Sequence, residues 1–376
     1  MRKPLASFGQ DVGKRFFYFL VGLLLSATPL GVWAAPNDVF LSATPEQQSP
    51  RGFIDVSSDH MNGALDFFRV RDSDPLTAGT SAGDYLGAHV TGGIPLGDAL
   101  WLSGSLWQRN LKSASDSYNY TSWQIAGQYR LIDAQDWQPA LAIRLSAWGD
   151  YASATESSTA VVVPGAKLNT VKITDPADRQ LQADLIGSWN LSPSTDVNVL
   201  LSAGSSQLSY GALSATTTRN GCEYQVAFTG NNIYGTLAAP CNVGGGVIQQ
   251  FFDSSGAYGV DVANEIAWRG TFMQAGVNAS WRHGPWTLMG GYLLYVAKRD
   301  NVDAILIARG KPSYTQNHLL SVEARYRIRN SLQVYGRGQL TSNLYLSDLP
   351  VVYNTSTSDR FGSKYSLFSI GLRVNF

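Results

Sequence analysis

The last eleven residues of the chain, SLFSIGLRVNF, alternate strictly between apolar residues and polar or small ones. The apolar parity consists of Phe368, Ile370, Leu372, Val374 and Phe376, and the other of Ser369, Gly371, Arg373 and Asn375. Successive side chains of a β-strand point to opposite faces of its sheet. The alternation therefore predicts a final strand with one apolar face and one polar face.

The same alternation returns in paired segments from about residue 84 onward. Residues 84–110, 120–151, 179–210, 265–298 and 317–346 each contain two alternating stretches around a short turn, which is typical of a β-hairpin. The parity changes once inside a stretch, between Phe272 and Met273, and this change predicts a bulge. With the final strand, these hairpins give eleven strands.

The connections between the predicted strands alternate in length. Short turns fall near 94–98, 132–137, 192–195, 283–285 and 329–331, whereas residues 151–178, 211–262, 299–313 and 345–362 are long and polar. Transmembrane barrels have short periplasmic turns and long external loops, and an even number of strands. Residues 52–72, whose parity is muddled at Phe67 and Phe68, supply one more strand, so we predict twelve strands with fourteen as the alternative.

The N-terminal 34 residues have the composition of a secretory signal peptide. A basic head with Arg2, Lys3, Lys14 and Arg15 precedes an apolar run over residues 16–25, and small residues follow up to Ala34. We predict cleavage after Ala34, a periplasmic segment over residues 35–50 and a barrel over residues 51–376. An uncleaved anchor is the alternative, but Ser26, Thr28, Pro29 and Gly31 interrupt the second half of the run.

Composition decides how the remaining chain could enter a membrane. No later segment approaches the roughly 20 consecutive apolar residues of a membrane helix. A closed barrel is the other structure that satisfies every backbone group in lipid, so the fold class is an all-β, antiparallel up-and-down transmembrane barrel. Without residues 1–34, the 28 basic and 28 acidic residues become 24 and 27, and this balance favours no nucleic-acid partner.

The closing stretch also resembles the terminal assembly signal of Gram-negative outer-membrane β-barrel proteins. A polar residue, Ser369, is followed by Gly371, and the hydrophobic Val374 and the aromatic Phe376 end the chain. The resemblance extends over the whole mature chain and is specific for the class, not for a subfamily. It implies an outer-membrane location, contact with lipid, and insertion by the barrel-assembly machinery.

Cys222 and Cys241 lie in the longest predicted external loop. Two cysteines in an exported chain predict a disulfide, which on the chain-entropy model contributes about 3 kcal/mol. Metal binding or a reactive thiol is the alternative, but no histidine or further cysteine lies nearby in the sequence. We therefore predict no metal and no cofactor.

The inward parity of the predicted strands is rich in arginine. It holds Arg109, Arg130, Arg144, Arg282, Arg325, Arg327, Arg337 and Arg373, against Asp184 and Glu323. Among these, we predict that Arg144, Arg325, Arg337, Arg373, Glu323 and Asp184 line a pore. Arg325, Arg337 and Arg373 would form a series that attracts anions. In the alternative, Arg130, Arg282, Arg327 and Arg373 form a solvated rim, Arg325 pairs with Glu323, and the side chains simply fill the lumen.

Three functions follow from these patterns. The first is a porin-like channel for small solutes, with anions favoured by the arginines. The second is a closed barrel that serves as a surface scaffold or adhesin through its long loops. The third is a barrel enzyme that cleaves lipids or peptides, which needs a histidine-centred group. The stretch SSDHMNG offers Ser57, Ser58, Asp59, His60 and Asn62, but neighbours on a strand point to opposite faces, so we predict no enzyme.

Overall fold

The computed structural model describes residues 38–45, 49–61, 84–113, 116–135, 138–157, 161–163, 166–242, 247–254, 256, 261–344, 346–355 and 357–376. The predicted signal peptide, residues 1–34, lies outside the described residues, as do Asn62 and residues 62–72 of the predicted first strand. No helix in the described part of the chain is long and apolar enough to cross a bilayer.

Twelve strands of the described residues form one closed antiparallel barrel. Numbered in chain order with the strands of a second sheet, they are β1(Phe53–Met61), β2(Asp84–Pro95), β3(Leu100–Ser113), β4(Asp116–Ile132), β5(Ala140–Tyr151), β9(Ala177–Ser192), β10(Thr195–Ser209), β15(Arg269–His283), β16(Trp286–Arg299), β17(Gln316–Arg329), β18(Leu332–Thr341) and β19(Tyr365–Asn375). Each strand pairs with its neighbour in this order, so the predicted up-and-down barrel with twelve strands is confirmed.

The barrel is closed by the first and last strands. β1 pairs with β19 from Phe53 opposite Asn375 to His60 opposite Phe368. Beyond this ladder, the backbone N–H of Phe376 donates to the carbonyl oxygen of Gly52 at 3.0 Å. No backbone edge is left open where the sheet meets itself, as a barrel in lipid requires.

The two ends of the barrel differ in their connections. At one end, here the turn end, strands are joined across residues 96–99, 133–139, 193–194, 284–285 and 330–331. At the opposite end, here the loop end, residues 152–176, 210–268, 300–315 and 342–364 join the strands, and the connection between β3 and β4 is the short one. The predicted alternation of turns and loops is confirmed.

The outer surface of the barrel is apolar. Leu145, Leu181 and Met273 are 62%, 64% and 67% exposed, although each is a large hydrophobic side chain. Aromatic side chains surround the turn end on the same surface, namely Tyr129, Trp281, Trp286, Tyr326 and Phe376. Such a surface suits lipid, and aromatic side chains prefer the lipid–water interface.

The bulge predicted between Phe272 and Met273 is wrong. β15 pairs with both neighbours through this position without a shift in register. Phe272 faces the lumen, 2% exposed, and stacks on Tyr295 with ring centroids 5.5 Å apart. The change of parity in the sequence marks an aromatic residue that faces the lumen. The register shifts of the barrel lie near the turn end, between Thr195/Asp196, Arg130/Ile132 and Arg327/Arg329.

Two connections predicted as long polar loops contain a second sheet. Its strands are β6(Ala154–Ser157), β7(Val161–Val163), β8(Ala166–Thr174), β11(Ala212–Arg219), β12(Cys222–Thr229), β13(Asn232–Leu237) and β14(Gln250–Ser254). They pair in the order β14-β13-β12-β11-β8-β6, with β7 on β8. β12 alternates between buried and exposed side chains, so one face of the sheet has a small core with Leu213, Val226 and Phe228.

Two local features stabilise this second sheet. Asn220 and Gly221 adopt positive φ values of 51° and 79°, as an Asn-Gly hairpin turn requires. The predicted disulfide is present: Cys222 is bonded to Cys241, with Cα atoms 5.7 Å apart.

Helices complete the loop end. They are α1(Val262–Glu265), α2(Val302–Ala308) and two 3-10 helices, Pro350–Val352 and Ser358–Gly362. Together with residues 346–355 and 357–362, α2 forms what we call the loop cap. Its buried side chains, Val302, Leu306, Leu349, Tyr353 and Phe361, pack with Tyr85, Leu111 and Tyr120 from the ends of the barrel strands.

Candidate functional site

The predicted pore-lining residues lie on the inner face of the barrel. Arg144, Arg325 and Arg373 are 5%, 9% and 9% exposed, and Asp184 and Glu323 are 2% and 3% exposed. Arg337 lines the same interior cavity as these three arginines. All six side chains therefore lie on the inward face that the alternation predicts.

Carboxylates neutralise part of this arginine series. Nη1 of Arg144 donates to Oδ2 of Asp184 at 2.9 Å. Glu323 accepts from Arg325, and also from Nε of Arg337 at 2.6 Å. The predicted pairing of Arg325 with Glu323 is therefore present, and Glu323 bridges two arginines. A single carboxylate between two guanidinium groups leaves one positive charge in excess.

Arg373 has no carboxylate partner within the described residues. Nη2 donates to Oγ of Ser49 at 2.9 Å, and Nε donates to Oδ1 of Asn375 at 3.2 Å. The guanidinium also lies 3.7 Å from the centroid of the Phe53 ring, a cation–π contact. The contacts of the Arg373 guanidinium that these distances define are therefore all with neutral groups.

Three of the four arginines predicted to form a solvated rim pair with groups at the turn end. Nε of Arg130 lies 2.6 Å from Oδ1 of Asp133, Arg282 pairs with Asp196, and Arg327 donates to the carbonyl oxygen of Gly284 at 3.1 Å. All three lie beside turns. Arg373, the fourth, is buried and belongs to the lumen instead.

An N-terminal plug, residues 38–45, lies inside the turn end of the barrel. Val39, Phe40 and Ala43 are buried against aliphatic side chains of the inner wall, namely Ala140, Ala142, Ile186, Leu200, Met289, Leu293 and Leu319. The segment predicted as periplasmic, residues 35–50, therefore contacts the lumen over its described part. The signal for this contact was present in the sequence, because Ile186, Leu200, Leu293 and Leu319 are aliphatic residues on the inward parity.

Polar contacts hold the backbone of the plug. Nδ2 of Asn278 donates to the carbonyl oxygens of Val39 and Leu41, at 2.7 and 3.0 Å. Gln128 donates to the carbonyl oxygen of Ser42 at 2.9 Å, and the N–H of Ala43 donates to Oγ of Ser188 at 2.8 Å. The plug thus replaces water as the hydrogen-bond partner of three lumen-facing strands.

Two cavities lie along the lumen. The first, about 370 Å³, opens at the turn end, and its charged lining residues are Arg282, Arg325, Arg327 and Arg373, with no Asp or Glu among them. The second, about 200 Å³, lies beside the plug and has mixed charge, with five arginines together with Asp38, Asp55, Asp59 and Asp348. Arg325 and Arg373 line both cavities, so they lie at the boundary between them.

The loop cap closes the other end through hydrogen bonds as well as apolar contacts. Nε1 of Trp268 donates to the carbonyl oxygen of Tyr353 at 2.9 Å. Nη1 of Arg309 donates to Oε2 of Glu265 at 2.7 Å, and this hydrogen bond raises the pKa of Arg309 above its usual value. Burial raises the pKa of the Tyr353 hydroxyl above its usual value. These groups keep the charge states that the contacts need at neutral pH.

The described part of the stretch SSDHMNG, residues 57–61, is divided between the two faces of β1. His60 contacts Ser58, on the outward parity, whereas Ser57 and Asp59 face the lumen and contact His89 of the next strand. Nδ1 of His89 lies 2.9 Å from Oδ2 of Asp59, but Oγ of Ser57 lies 2.8 Å from Nδ1 and 3.0 Å from Nε2. The hydroxyl therefore faces the ring edge between the two nitrogens, not the Nε2 lone pair as in a serine–histidine nucleophile.

The residues of the predicted assembly signal divide between the two faces of β19. Val374 and Phe376 face outward, 40% and 51% exposed, and Ser369 and Gly371 face the lumen. The Tyr335 ring covers Gly371 so closely that a Cβ atom there would lie 2.4 Å from it. Oη of Tyr335 donates to Oδ1 of Asp55 at 2.7 Å, so the ring bridges from β18 across β19 to β1. Gly371 is thus needed for packing inside the barrel.

A closed barrel with an apolar outer surface, aromatic residues around one end and a charged interior inverts the arrangement of a soluble barrel. The chain is therefore a β-barrel of the outer-membrane type, in which short turns are typical of the periplasmic side.

Comparisons with known proteins add no closer assignment. None of the protein-family models matches the chain, and no curated protein matches it. Among solved structures, the chain is similar to the translocator domain of the autotransporter NalP from Neisseria meningitidis, with 10% identity and a TM-score of 0.47 over 99% of this chain and 100% of that one. It is also similar to the CymD monoaromatic hydrocarbon channel, with 11% identity and a TM-score of 0.39 over 92% and 95%. The P. putida toluene transporter TodX has 8% identity and a TM-score of 0.36 over 90% and 93%. Likeness at this level carries no functional argument.

Proposed function

We propose that this protein is an outer-membrane channel for small anionic solutes, with its lumen closed in the present conformation by the N-terminal plug and the loop cap. The observation that carries the proposal is the cavity of about 370 Å³ at the turn end, which among the described residues is lined by four arginines and by no Asp or Glu. Arg327 and Arg373 have no carboxylate partner within the described residues. Rings of unpaired basic side chains are how pores select anions.

Opening requires the plug to leave the lumen. Its apolar contacts come from three side chains, and its hydrogen bonds come from Asn278, Gln128 and Ser188. Such contacts contribute roughly 1 kcal/mol for each hydrogen bond and about 1.5–3 kcal/mol for each buried aliphatic side chain. A ligand or partner that displaces the plug must supply a free energy of this order.

A reversible tether tests the role of the plug. Oγ of Ser42 lies 3.4 Å from Oγ of Ser188, so the double substitution Ser42→Cys and Ser188→Cys should join the plug to β9. We expect little current from the tethered protein in a planar bilayer and recovery of current on addition of a reductant. The wild type with reductant is the control for the Cys222–Cys241 disulfide. Deletion of residues 38–45 should give the largest current, and a deletion variant that folds but does not conduct would overturn the proposal.

The selectivity of that current tests the arginines. In the deletion variant, Arg373→Gln and Arg327→Gln should each shift the reversal potential in a salt gradient toward lower anion preference. Arg130→Gln is the matched control, because Arg130 lies at the same end, pairs with Asp133 and lines neither cavity. An equal shift for all three substitutions would contradict the assignment of the selectivity to the cavity.

A surface scaffold is the second candidate function, and the second sheet favours it. Tyr234 and Phe252 are 47% and 62% exposed on that sheet, with ring centroids 5.1 Å apart. Exposed aromatic pairs of this kind are common at binding surfaces. The absence of current from every plug variant, together with loss of surface attachment in Phe252→Ala, would favour the scaffold over the channel.

The terminal strand has a proposed partner as well. Ser369, Gly371, Val374 and Phe376 would be read by the barrel-assembly machinery, and removal of Phe376 should reduce the amount of protein in the outer membrane. Gly371→Ala would disturb folding through Tyr335 in addition, so crosslinking of the unfolded chain to the machinery separates recognition from packing.

A further inference from the structure

Asp150 and Asp178 form a buried carboxylate pair at the loop end of the lumen. They lie near the ends of β5 and β9, and each is 2% exposed. The N–H of Asp150 donates to Oδ1 of Asp178 at 3.1 Å, between the register pairs Trp148 with Gln180 and Tyr151 with Ala177. Two adjacent anions away from water repel each other and lose hydration, so the pair needs a counter-charge.

The protein supplies little counter-charge at this place. Neither Asp150 nor Asp178 forms an ion pair within the described residues, and the cation that acts on Asp150 is Arg109. Arg109 also interacts with Asp59 and Asp348, so one guanidinium is shared among several carboxylates. This is the opposite of the turn end, where basic residues are in excess.

Buried oxygen atoms without hydrogen-bond partners indicate what supplies the missing positive charge. Oδ2 of Asp150 and Oδ2 of Asp178 are buried without a hydrogen-bond partner in the described structure. Oε1 of Gln180, a residue 1% exposed, also has none, although its Nε2 donates to Oδ1 of Asp178 at 3.3 Å and so fixes the amide against the pair. The three oxygens without partners belong to side chains that these hydrogen bonds place next to one another. One shared proton would satisfy a single contact, whereas a cation satisfies several oxygens at once.

We infer that Asp150, Asp178 and Gln180 bind a divalent cation of the calcium type, with water completing its coordination. Hard cations prefer carboxylate and carbonyl oxygens, and Ca²⁺ accepts irregular sets of ligands from flexible positions. The described ranges contain no group of three or more His, Cys, Asp or Glu side chains placed for a metal. The proposed site consists instead of two carboxylates and one amide, and it joins β5 to β9 at the loop end of the barrel. It does not depend on the proposed channel.

Terbium luminescence tests the site in the full mature chain in detergent. Trp148 and Tyr120, 1% and 3% exposed, lie on the same wall and can sensitise a bound Tb³⁺ ion when excited. We expect saturable luminescence that Ca²⁺ displaces. Asp178→Asn should weaken the apparent affinity by at least about tenfold, as loss of a coordinating carboxylate does. Asp150→Asn gives the same expectation and serves if the first variant does not fold.

Asp59→Asn is the matched control. It removes one negative charge from the same end of the lumen and leaves the pair intact, so it should change the affinity little. Ca²⁺ should also raise the unfolding temperature of the wild type and of Asp59→Asn, but not that of Asp178→Asn. Absence of a saturable signal in the wild type would overturn the inference and leave a shared proton as the explanation of the pair. An equal loss in Asp59→Asn would also overturn it, because the signal would then come from the general acidity of the lumen.

Discussion

The two ends of the lumen differ in charge and in the means of closure. At the turn end, arginines line the cavity without carboxylates, and a short segment with three buried side chains occupies the barrel. At the loop end, Asp59, Asp150 and Asp348 share Arg109, and a large apolar cluster closes the mouth. The difference indicates that the loop end is held closed more strongly than the turn end. It also means that charge reverses along the lumen within one barrel.

The largest expected effect comes from the ionic centre between the two ends. Glu323→Gln leaves Arg325 and Arg337 without their shared carboxylate, and breaking a buried ion pair costs about 3–5 kcal/mol. We expect a loss of that size in the free energy of unfolding, measured by urea titration in detergent. The double variant Glu323→Gln and Arg337→Gln should recover part of the loss. Unchanged stability of the single variant would mean that the arginines do not depend on Glu323.

The second largest effect is expected for a substitution in the loop cap. Leu306 is completely buried in the cap, so Leu306→Ala should lower the stability of the cap by about 2–5 kcal/mol. Amide hydrogen exchange of α2 measures this change, and we expect faster exchange in α2 with little change in the barrel strands. Ile307→Ala is the matched control, since Ile307 is the next residue of α2 and is 68% exposed. Similar exchange in both variants would show that the cap is not held by its apolar core.

A substitution in the plug should change the stability less than the substitutions above, but it should change the channel current more clearly. Val39 is 2% exposed against the inner wall, and Val39→Ser removes about 1.5–3 kcal/mol of apolar burial. The ratio of open to closed states should rise on the order of 10- to 100-fold, because 1.4 kcal/mol corresponds to a factor of ten. Single-channel recordings of open probability measure it. No change in a protein whose deletion variant conducts would argue that Val39 does not hold the closed state.

The smallest effect is expected at the rim of the turn end. Asp133, the partner of Arg130, is 73% exposed at its side chain, and ion pairs in contact with water contribute at most about 1 kcal/mol. Arg130→Gln should therefore leave the free energy of unfolding nearly unchanged, in contrast with Glu323→Gln. A loss similar to that of Glu323→Gln would place Arg130 in the ionic network of the lumen.

Sequence patterns predicted the wall of the barrel better than its contents. Parity fixes whether Arg144 or Val374 faces inward, because it depends on neighbouring residues of one strand. The contacts of Arg109 with Asp348, and of His89 with Asp59, join distant strands and loops, and no local pattern gives them. The plug was missed because aliphatic residues on the inward parity, such as Ile186 and Leu293, were not followed. The second sheet was missed because a long connection was equated with an irregular one, although Asn220-Gly221 is a hairpin turn.

The attachment of the plug gives the protein a built-in order of assembly. Ser49, which leads from the plug into β1, is completely buried and bonds to Arg373 and Asn375 of the last strand. These two partners come into place only when β19 pairs with β1. The junction between the plug and β1 can therefore be fastened only after the C-terminal strand has closed the barrel, so a bonded Ser49 marks a finished molecule.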